Sequence, residues 1–355
     1  MAAGQSAGEG AAHGAGQSAG PAPVRWGVLG AASIALRAVI PATQASPLCS
    51  VVAIASRDRE KARAAAARLG IPRVYGSYDE LLADPEIDAV YNPLPNHLHV
   101  PWSSRAAEAG KHVLCEKPIA LSAREARGLL AVRDRTGVQI AEAFMVRTHP
   151  RWEAVRDLVA GGRIGELRLI VGHFSYGPRD PADFRSRKEF GGGPLLDVGC
   201  YPITMSRWLF GAEPEEVIAE VERDPDTGVD RLVSGILRFR SGQAAFTCGQ
   251  QLVLHQRMEL VGTRGRIAVE RPFNPPADQP CRLVVDDGRD LAGGGAETIE
   301  VPAANQYRLQ AERFVRAVRG QGSVPVPLED AIGNMAVIDA VFRSAETRQW
   351  EIPAR

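Results

Sequence analysis

Residues Val24–Ile40 read "VRWGVLGAASIALRAVI". An apolar run stops at Gly30, small residues follow, and apolar side chains then return with helical spacing. A strand that turns at a glycine straight into a helix opens a βαβ unit. Downstream the alternation continues. Strand-like runs "SVVAIAS", "DAVYNP", "KHVLCE" and "VQIAEA" alternate with helix-like runs "DREKARAAAARLG", "HLHVPWSSRAAEAG" and "SAREARGLLAVRDRTG". These three helical runs close on Gly70, Gly110 and Gly137, the usual stop after a helix. Strands alternating with helices specify a parallel, doubly wound sheet, so an α/β domain is expected over residues 24–146.

After about Phe144 the rhythm changes. A helical run, "PRWEAVRDLVAGG", leads to "ELRLIVGHFSY". Alternating runs then follow at hairpin spacing: "EEVIAEVER", "RLVSGILRFR", "QAAFTCGQQLVL", "QRMELVG", "GRIAVER" and "CRLVVDD". Strand after strand indicates an antiparallel sheet. Helices at about 306–319 and 328–347 close the chain, so residues 147–355 are expected to form a second, α+β domain. A chain of 355 residues is also too long for one ordinary core.

Composition excludes several functions. With 42 basic and 42 acidic residues and no block of like charge, the chain lacks the footprint of a nucleic-acid binder. No apolar run is long enough to span a membrane. The five cysteines are dispersed with no CxxC pair, which fits a reducing compartment. Residues 1–23 are rich in Ala, Gly, Ser and Gln, lack the basic and apolar regions of an export signal, and read as a disordered tail. A cytoplasmic protein is expected.

The turn after the first strand runs Gly30-Ala31-Ala32-Ser33-Ile34-Ala35. Against G-x-G-x-x-G only the first glycine is kept, and a plain tight turn would serve as well. Its place between the first strand and helix of a βαβ unit raises a phosphate cradle, built on the backbone of Gly30, Ala32, Ser33 and Ile34. The second strand ends in Ser56 and Arg57, where a site for NAD would carry an acid for the ribose. A hydroxyl and a guanidinium suit a 2′-phosphate, so the cofactor is read as NADP. "YNPLPNHLHVPW" (91–102) leaves the next strand on prolines, and its Leu94, Asn96 and His99 are expected to face the middle of the cofactor. His97-x-His99 has no further ligand at useful spacing, so no metal site is read.

Only four of the 42 basic residues are lysines, yet one stands in "VLCEKPIAL" (113–121), at the end of a strand. Glu116 and Lys117 lie at the sheet edge where ligands bind, and Pro118 fixes the backbone after them. Partial burial is expected to lower the lysine's pKa while its charge stabilises an anion. In "GGGPLLDVGCYPI" (191–203), Asp197 and Tyr201 are one helical turn apart and project together. An acid and a phenol opposite a lysine suit proton transfer to a carbonyl oxygen. The tyrosine donates, the lysine favours the phenolate, and the carboxylate orients the substrate.

Together these motifs resemble those of the Gfo/Idh/MocA oxidoreductases, the family of glucose–fructose oxidoreductase and inositol dehydrogenase. The resemblance runs from about Val24 to the C-terminus. It is carried by "EKP" (116–118) and "GGGPLLDVGCYPI" (191–203), with "NPLPNHLH" and the "GxAxxA"-type turn in support. It implies a Rossmann domain followed by a substrate-binding and oligomerisation domain, whose open-faced, mainly antiparallel sheet serves a homodimer or homotetramer. It also implies that Lys117, Asp197 and Tyr201 are catalytic, in a hydride transfer between NADP(H) and a sugar or nucleotide sugar. Many members carry histidine where Tyr201 stands. The tyrosine, the Ser56-Arg57 pair, "EAFMVRTHPRW" (142–152) and "ERPFNPP" (270–276) look like the NADP-using sugar branch of xylose dehydrogenases, dihydrodiol dehydrogenases and deoxysugar ketoreductases. Ala32 and Ala35 depart from the wider phosphate motif. Arg147 is expected at the cofactor, and His149, Arg185 and Trp208 are weaker candidates near the substrate or nicotinamide. Two other classes stay open: a silent NADP-binding sensor or scaffold, and a glycosidase that recycles a fixed cofactor.

The cofactor reading is testable directly. Arg57→Ala should weaken NADP binding by roughly 1.5–3 kcal/mol, the scale of a bond to a charged group, and leave NAD binding nearly unchanged. Equal affinity of the native protein for both cofactors, measured by titration, would reject it.

Overall fold

The computed structural model describes residues 21–178, 180 and 183–354; the tail expected over residues 1–23 falls mostly outside them. The strands of the first unit are β1 (Val24–Leu29), β2 (Cys49–Ala55), β3 (Arg73–Tyr75), β4 (Ala89–Asn92), β5 (His112–Glu116) and β6 (Ile140–Ala143). They form one parallel sheet in the order β3-β2-β1-β4-β5-β6. The chain builds outward from β1 in one direction and then in the other, so the carboxyl ends of β1 and β4 flank the switch point where doubly wound sheets bind ligands. The crossovers use α1 (Ile40–Gln44), α2 (Arg59–Leu69), α3 (Tyr78–Leu82), α4 (His99–Glu108) and α5 (Ala123–Thr136). Caps set their ends: Asp58 accepts the Lys61 N–H at the start of α2, and Ser122 that of Glu125 at the start of α5. β3 went unread in the sequence because three half-buried edge residues carry no period.

After α6 (Pro150–Ala160) the second unit is an eight-stranded sheet. Its strands are β7 (Leu167–Ser175), β8 (Glu216–Arg223), β9 (Asp230–Phe239), β10 (Gly242–Gly249), β11 (His255–Gly262), β12 (Arg266–Glu270), β13 (Cys281–Asp286) and β14 (Ala296–Val301). The order is β14-β13-β12-β11-β7-β10-β9-β8, antiparallel throughout except for β7 beside β10. β14, an exposed edge strand with little apolar alternation, was also not read. α7 (Cys200–Phe210) packs on the inner face of this sheet.

Two helices close the chain, α8 (Gln306–Val318) and α9 (Leu328–Thr347). Sequence order grouped α8 with the second unit, but its apolar stripe is buried against the first. Ala311, Phe314 and Val315 share a core with Trp26, Val28 and Ile40, and the Phe314 and Trp26 rings lie 5.4 Å apart. The physical reason is coverage. A parallel sheet needs both faces covered, and α8 packs beside the first crossover helix over the face that β1 and β2 present. α9 is tied to both units: Asp339 accepts the Ala123 N–H at the start of α5, and the Ser344 hydroxyl accepts the Ala219 N–H on β8. No helix among the described residues is long and apolar enough to cross a membrane.

Phe314 is fully buried. Phe314→Ala should therefore remove about 3–5 kcal/mol of unfolding free energy, as other buried Phe truncations do. Urea unfolding checks this, and a loss below about 1 kcal/mol would mean that α8 does not complete the first core.

Candidate active site

At the carboxyl end of β1 the chain turns at Gly30, whose φ of 91° lies in the left-handed region that favours glycine. A Cβ there would sit 3.0 Å from Leu94 Cδ2 and 3.7 Å from the Tyr78 hydroxyl. The helix that follows opens at Ser33 and passes into a wide π turn (Ala35–Val39), and no side-chain cap is made ahead of that turn. Uncapped first-turn N–H groups beside a glycine turn are the arrangement that takes a phosphate. At the end of β2, Ser56 is buried and Arg57 is exposed. The Ser56 hydroxyl accepts the Asp58 N–H at 3.2 Å and keeps its own proton for donation. The Arg57 guanidinium lies beside the Tyr78 hydroxyl, so Gly30, Arg57, Tyr78 and Leu94 share one corner. Asp58, the nearest acid, is taken up in capping α2. These groups fit an adenine dinucleotide with a 2′-phosphate. Tyr78 was missed because nothing in its local sequence separates it from a core tyrosine.

The second half of the site lies at the end of β5. Lys117 Nζ donates to the main-chain oxygen of Asp197 and, at 3.2 Å, to its Oδ1. Arg185 Nε donates to Asp197 Oδ2 at 2.9 Å, and Arg185 Nη1 also reaches Asp183 Oδ1 at 3.3 Å. Lysine and arginine thus share one carboxylate across the two units, which raises Arg185 from a weaker candidate to a member of the cluster. Burial pulls the Lys117 pKa down, as expected from sequence, but Asp197 and its neighbours outweigh that. The net shift is upward. Lys117 is a fixed cation.

Tyr201 lies one turn beyond Asp197, with its ring under the Lys117 ammonium, 5.0 Å from nitrogen to centroid. The rings of Phe144, Phe174 and Phe273 pack around it at 4.8, 5.6 and 5.1 Å. Its hydroxyl donates to Met145 Sδ at 3.6 Å. Burial, with nearby Tyr307, drives the phenol pKa well above the usual value. The expectation that Lys117 favours the phenolate is therefore corrected. The ammonium meets the ring face, the oxygen is on a thioether, and the phenol is held protonated.

The other sequence candidates divide. Glu116 is at the site, accepting from the Tyr91 hydroxyl at 2.6 Å, and burial raises its pKa. Asn96 is buried and donates to the Gly191 carbonyl at 2.8 Å, joining the two units. His99 is corrected from a cofactor contact to a strut. Its Nδ1 lies 2.7 Å from Pro118 O and its Nε2 2.6 Å from Leu94 O. Burial lowers its pKa to about 4, against the pull of those two carbonyls. Arg147 is likewise corrected. It pairs with Asp330 at 2.7 Å and lies over the Trp208 ring, so its charge is spent inside the protein. Trp208 also carries Arg156 on its ring, and His149 caps α6 by accepting the Arg151 N–H. Neither reaches the cluster. Tyr91, Tyr307, Met145 and Phe273 were not named as site residues from the sequence, although Met145 and Phe273 fall in the stretches 142–152 and 270–276. Glu142, also unflagged, is buried, and its Oε1 accepts the Ile119 N–H just after the lysine loop at 2.8 Å.

Comparison with known proteins bears on both halves. Residues 24–144 match the model of an oxidoreductase family with an NAD-binding Rossmann fold, and residues 152–268 match the GFO/IDH/MocA C-terminal domain. The chain is 40% identical to a D-xylose 1-dehydrogenase (NADP(+)) of Haloferax volcanii, covering 91% of this chain and 97% of the relative. It is 37% identical to a dTDP-3,4-didehydro-2,6-dideoxy-alpha-D-glucose 3-reductase of Saccharopolyspora spinosa, covering 90% and 96%. A crystal structure of a 3-ketoreductase from Actinomadura kijaniata, in complex with NADP and TDP-benzene, superposes with a TM-score of 0.85 at 35% identity, covering 91% of this chain and 98% of that one. Solved variants of that ketoreductase alter a lysine and a tyrosine that stand as far apart in its sequence as Lys117 and Tyr201 do here.

Glu142 gives a pH test of the site's framework. Burial raises its pKa to about 8, and its Oε2 has no partner among the described residues. The folded state thus holds a proton that the unfolded chain releases near 4.5, and stability is lost as pH rises from 4.5 toward 8. Glu142→Gln mimics the protonated form, so its unfolding free energy should gain on the native protein's steadily over that range. A constant difference between the two proteins would contradict the assignment.

Proposed function

The chain belongs to the GFO/IDH/MocA oxidoreductase family, and on that premise we propose that it is a cytoplasmic, NADP(H)-dependent enzyme. It passes a hydride between the nicotinamide and a carbinol or carbonyl carbon of a sugar or nucleotide sugar. One observation carries this reading: Lys117 of the first unit meets Asp197 and Tyr201 of the second, at the sheet edge that also holds Gly30 and Arg57. The named substrates of the relatives, a pentose and a dTDP-linked deoxysugar, support the substrate class.

When bound, NADPH supplies the hydride. Arg57 and Ser56 hold the 2′-phosphate with charge-assisted bonds, and the turn at Gly30 holds the pyrophosphate. Lys117, kept charged by Asp197, stabilises the negative charge that grows on the substrate oxygen. Tyr201 gives that oxygen its proton in reduction, after its hydroxyl leaves Met145 Sδ, and in oxidation it takes the proton only after losing its own phenolic proton to water. Asp197 orients the substrate hydroxyl. The aromatic wall of Phe174 and Phe273 keeps water from the reacting carbon.

The assembly is a homodimer or homotetramer formed through the outer face of the second sheet. Val171 and Ile236 are exposed there, in a groove they share with Ile218 and Ala245. Contiguous apolar surface of this kind marks an interaction face. All five cysteines are free and buried, which supports a reducing compartment.

The test is a panel of sugars and nucleotide sugars followed at the NADPH absorbance in both directions, with variants of Lys117 and Tyr201. Tyr201→Phe should lower kcat by on the order of 10²–10⁴, the range for a general acid. Lys117→Arg should also fail, because a planar guanidinium does not fit a compact ammonium site. The double variant should be little worse than the worse single one, since both act at one substrate oxygen. NADP affinity should survive in all three. Near-native turnover in Lys117→Arg, or fully additive losses, would mean that the two residues do not share a site.

A further inference from the structure

Asp230 opens β9, which is paired on both sides, by β8 and by β10. The residue is 2% exposed and forms no ion pair among the described residues. A carboxylate in that setting is costly unless donors meet it. Here the donor is backbone: the Leu195 N–H gives a hydrogen bond to Asp230 Oδ2 at 2.7 Å. Leu195 begins the π turn Leu195–Gly199 that leads into α7, and no side chain of its own caps that turn. The approach is so close that a Cβ on Gly193 would collide with Asp230 Oδ1, and Gly193 has a φ of 103°, open to glycine alone. Two residues after Leu195 comes Asp197. Its main-chain oxygen, as well as its carboxylate, receives the Lys117 ammonium. A wide turn is held less firmly by its own bonds than a regular one, so its height above the sheet follows the external clamp.

We propose that Asp230 is a positioning residue: by pinning the start of the Asp197-bearing turn to β9, it sets where the Lys117 ammonium stands. Nothing in its sequence context, "TGVDRLV" (227–233), marks it for this role. The consequence for catalysis rests on the reading of Lys117 as the charge that stabilises the substrate oxygen; the clamp itself does not.

Two readouts separate these claims. In turnover, Asp230→Ala should lower kcat by on the order of 10²-fold, the effect of a displacement of about 1 Å at a reacting centre. The NADP dissociation constant should be unchanged, because the cofactor's phosphates are held at Gly30 and Arg57. Asp230→Asn, which keeps an oxygen for the Leu195 N–H, should recover most of the loss. The second readout needs no substrate. The chain has only four lysines, so peptide mass spectrometry resolves acetylation of Lys117 by acetic anhydride. Lys117 is well shielded and strongly paired in the native protein, and its labelling rate should rise several-fold in Asp230→Ala and return toward native in Asp230→Asn. Unchanged labelling and near-native kcat in Asp230→Ala would overturn the proposal. So would equal loss of NADP binding in both variants, which would make Asp230 a general support of the fold. If the native protein turns over no sugar, the functional reading falls while the labelling arm still decides the clamp.

Discussion

The contact between Lys117 and Asp197 is the constraint on which the rest of the molecule depends. It joins side chains 80 residues apart, one at the tip of the parallel sheet and one on the helix that covers the antiparallel sheet. Both are largely withdrawn from water, at 12% and 14% exposure. A charge in that position must be met by its partner, because losing one member leaves the other buried and uncompensated. The relative placement of the two units is thus coupled to the chemistry of the cleft between them. Arg185 on the second carboxylate oxygen completes the lock, so that Asp197 is held from both sides and the lysine has one favoured position.

From that lock follows the state of the phenol. A cation over the ring face attracts the π system but does not reach the hydroxyl. The oxygen is left to burial, which keeps it protonated, and to a thioether, which is a weak acceptor. The proton donor proposed here should be loaded at rest and easily released from its resting partner. Tyr201 on Met145 meets both conditions better than a tyrosine bonded to a carboxylate would. Tyr91 on β4, bonded to Glu116 on the neighbouring β5 at 2.6 Å, shows the contrasting arrangement.

Much of this architecture was legible in the sequence, and what escaped did so for physical reasons. The switch between alternating helix and strand and strand after strand marks the two sheets, since period and spacing are local properties. β3 and β14 escaped because edge strands with exposed or few residues have no pattern to keep. The docking of α8 escaped because amphipathicity declares that a helix has a buried face and not which sheet buries it. At the site, Lys117 stood out by residue choice, and Asp197 with Tyr201 by helical spacing. His99 and Arg147 were misplaced for a common reason. A polar residue in a loop beside a ligand site looks functional until its partners are known, and those partners are distant in sequence or are plain backbone. Arg147 finds Asp330 183 residues away, and His99 finds two carbonyls that any residue type would offer.

Asp330 shows how the joint between the two units is held. Placed near the start of α9, it receives Arg147 from the segment joining the two units and Arg207 from α7, which also carries Tyr201. Arg207 in turn is held by Glu213 just beyond the end of α7. One carboxylate therefore fixes the exit of β6 and the Tyr201 helix to the same long helix. That helix is buried over most of its length. Hydride transfer tolerates little error in the distance between donor and acceptor carbons, and a cleft between two units is where such error would collect. A charged network remote from the reacting atoms removes it by making the joint between the units part of the core.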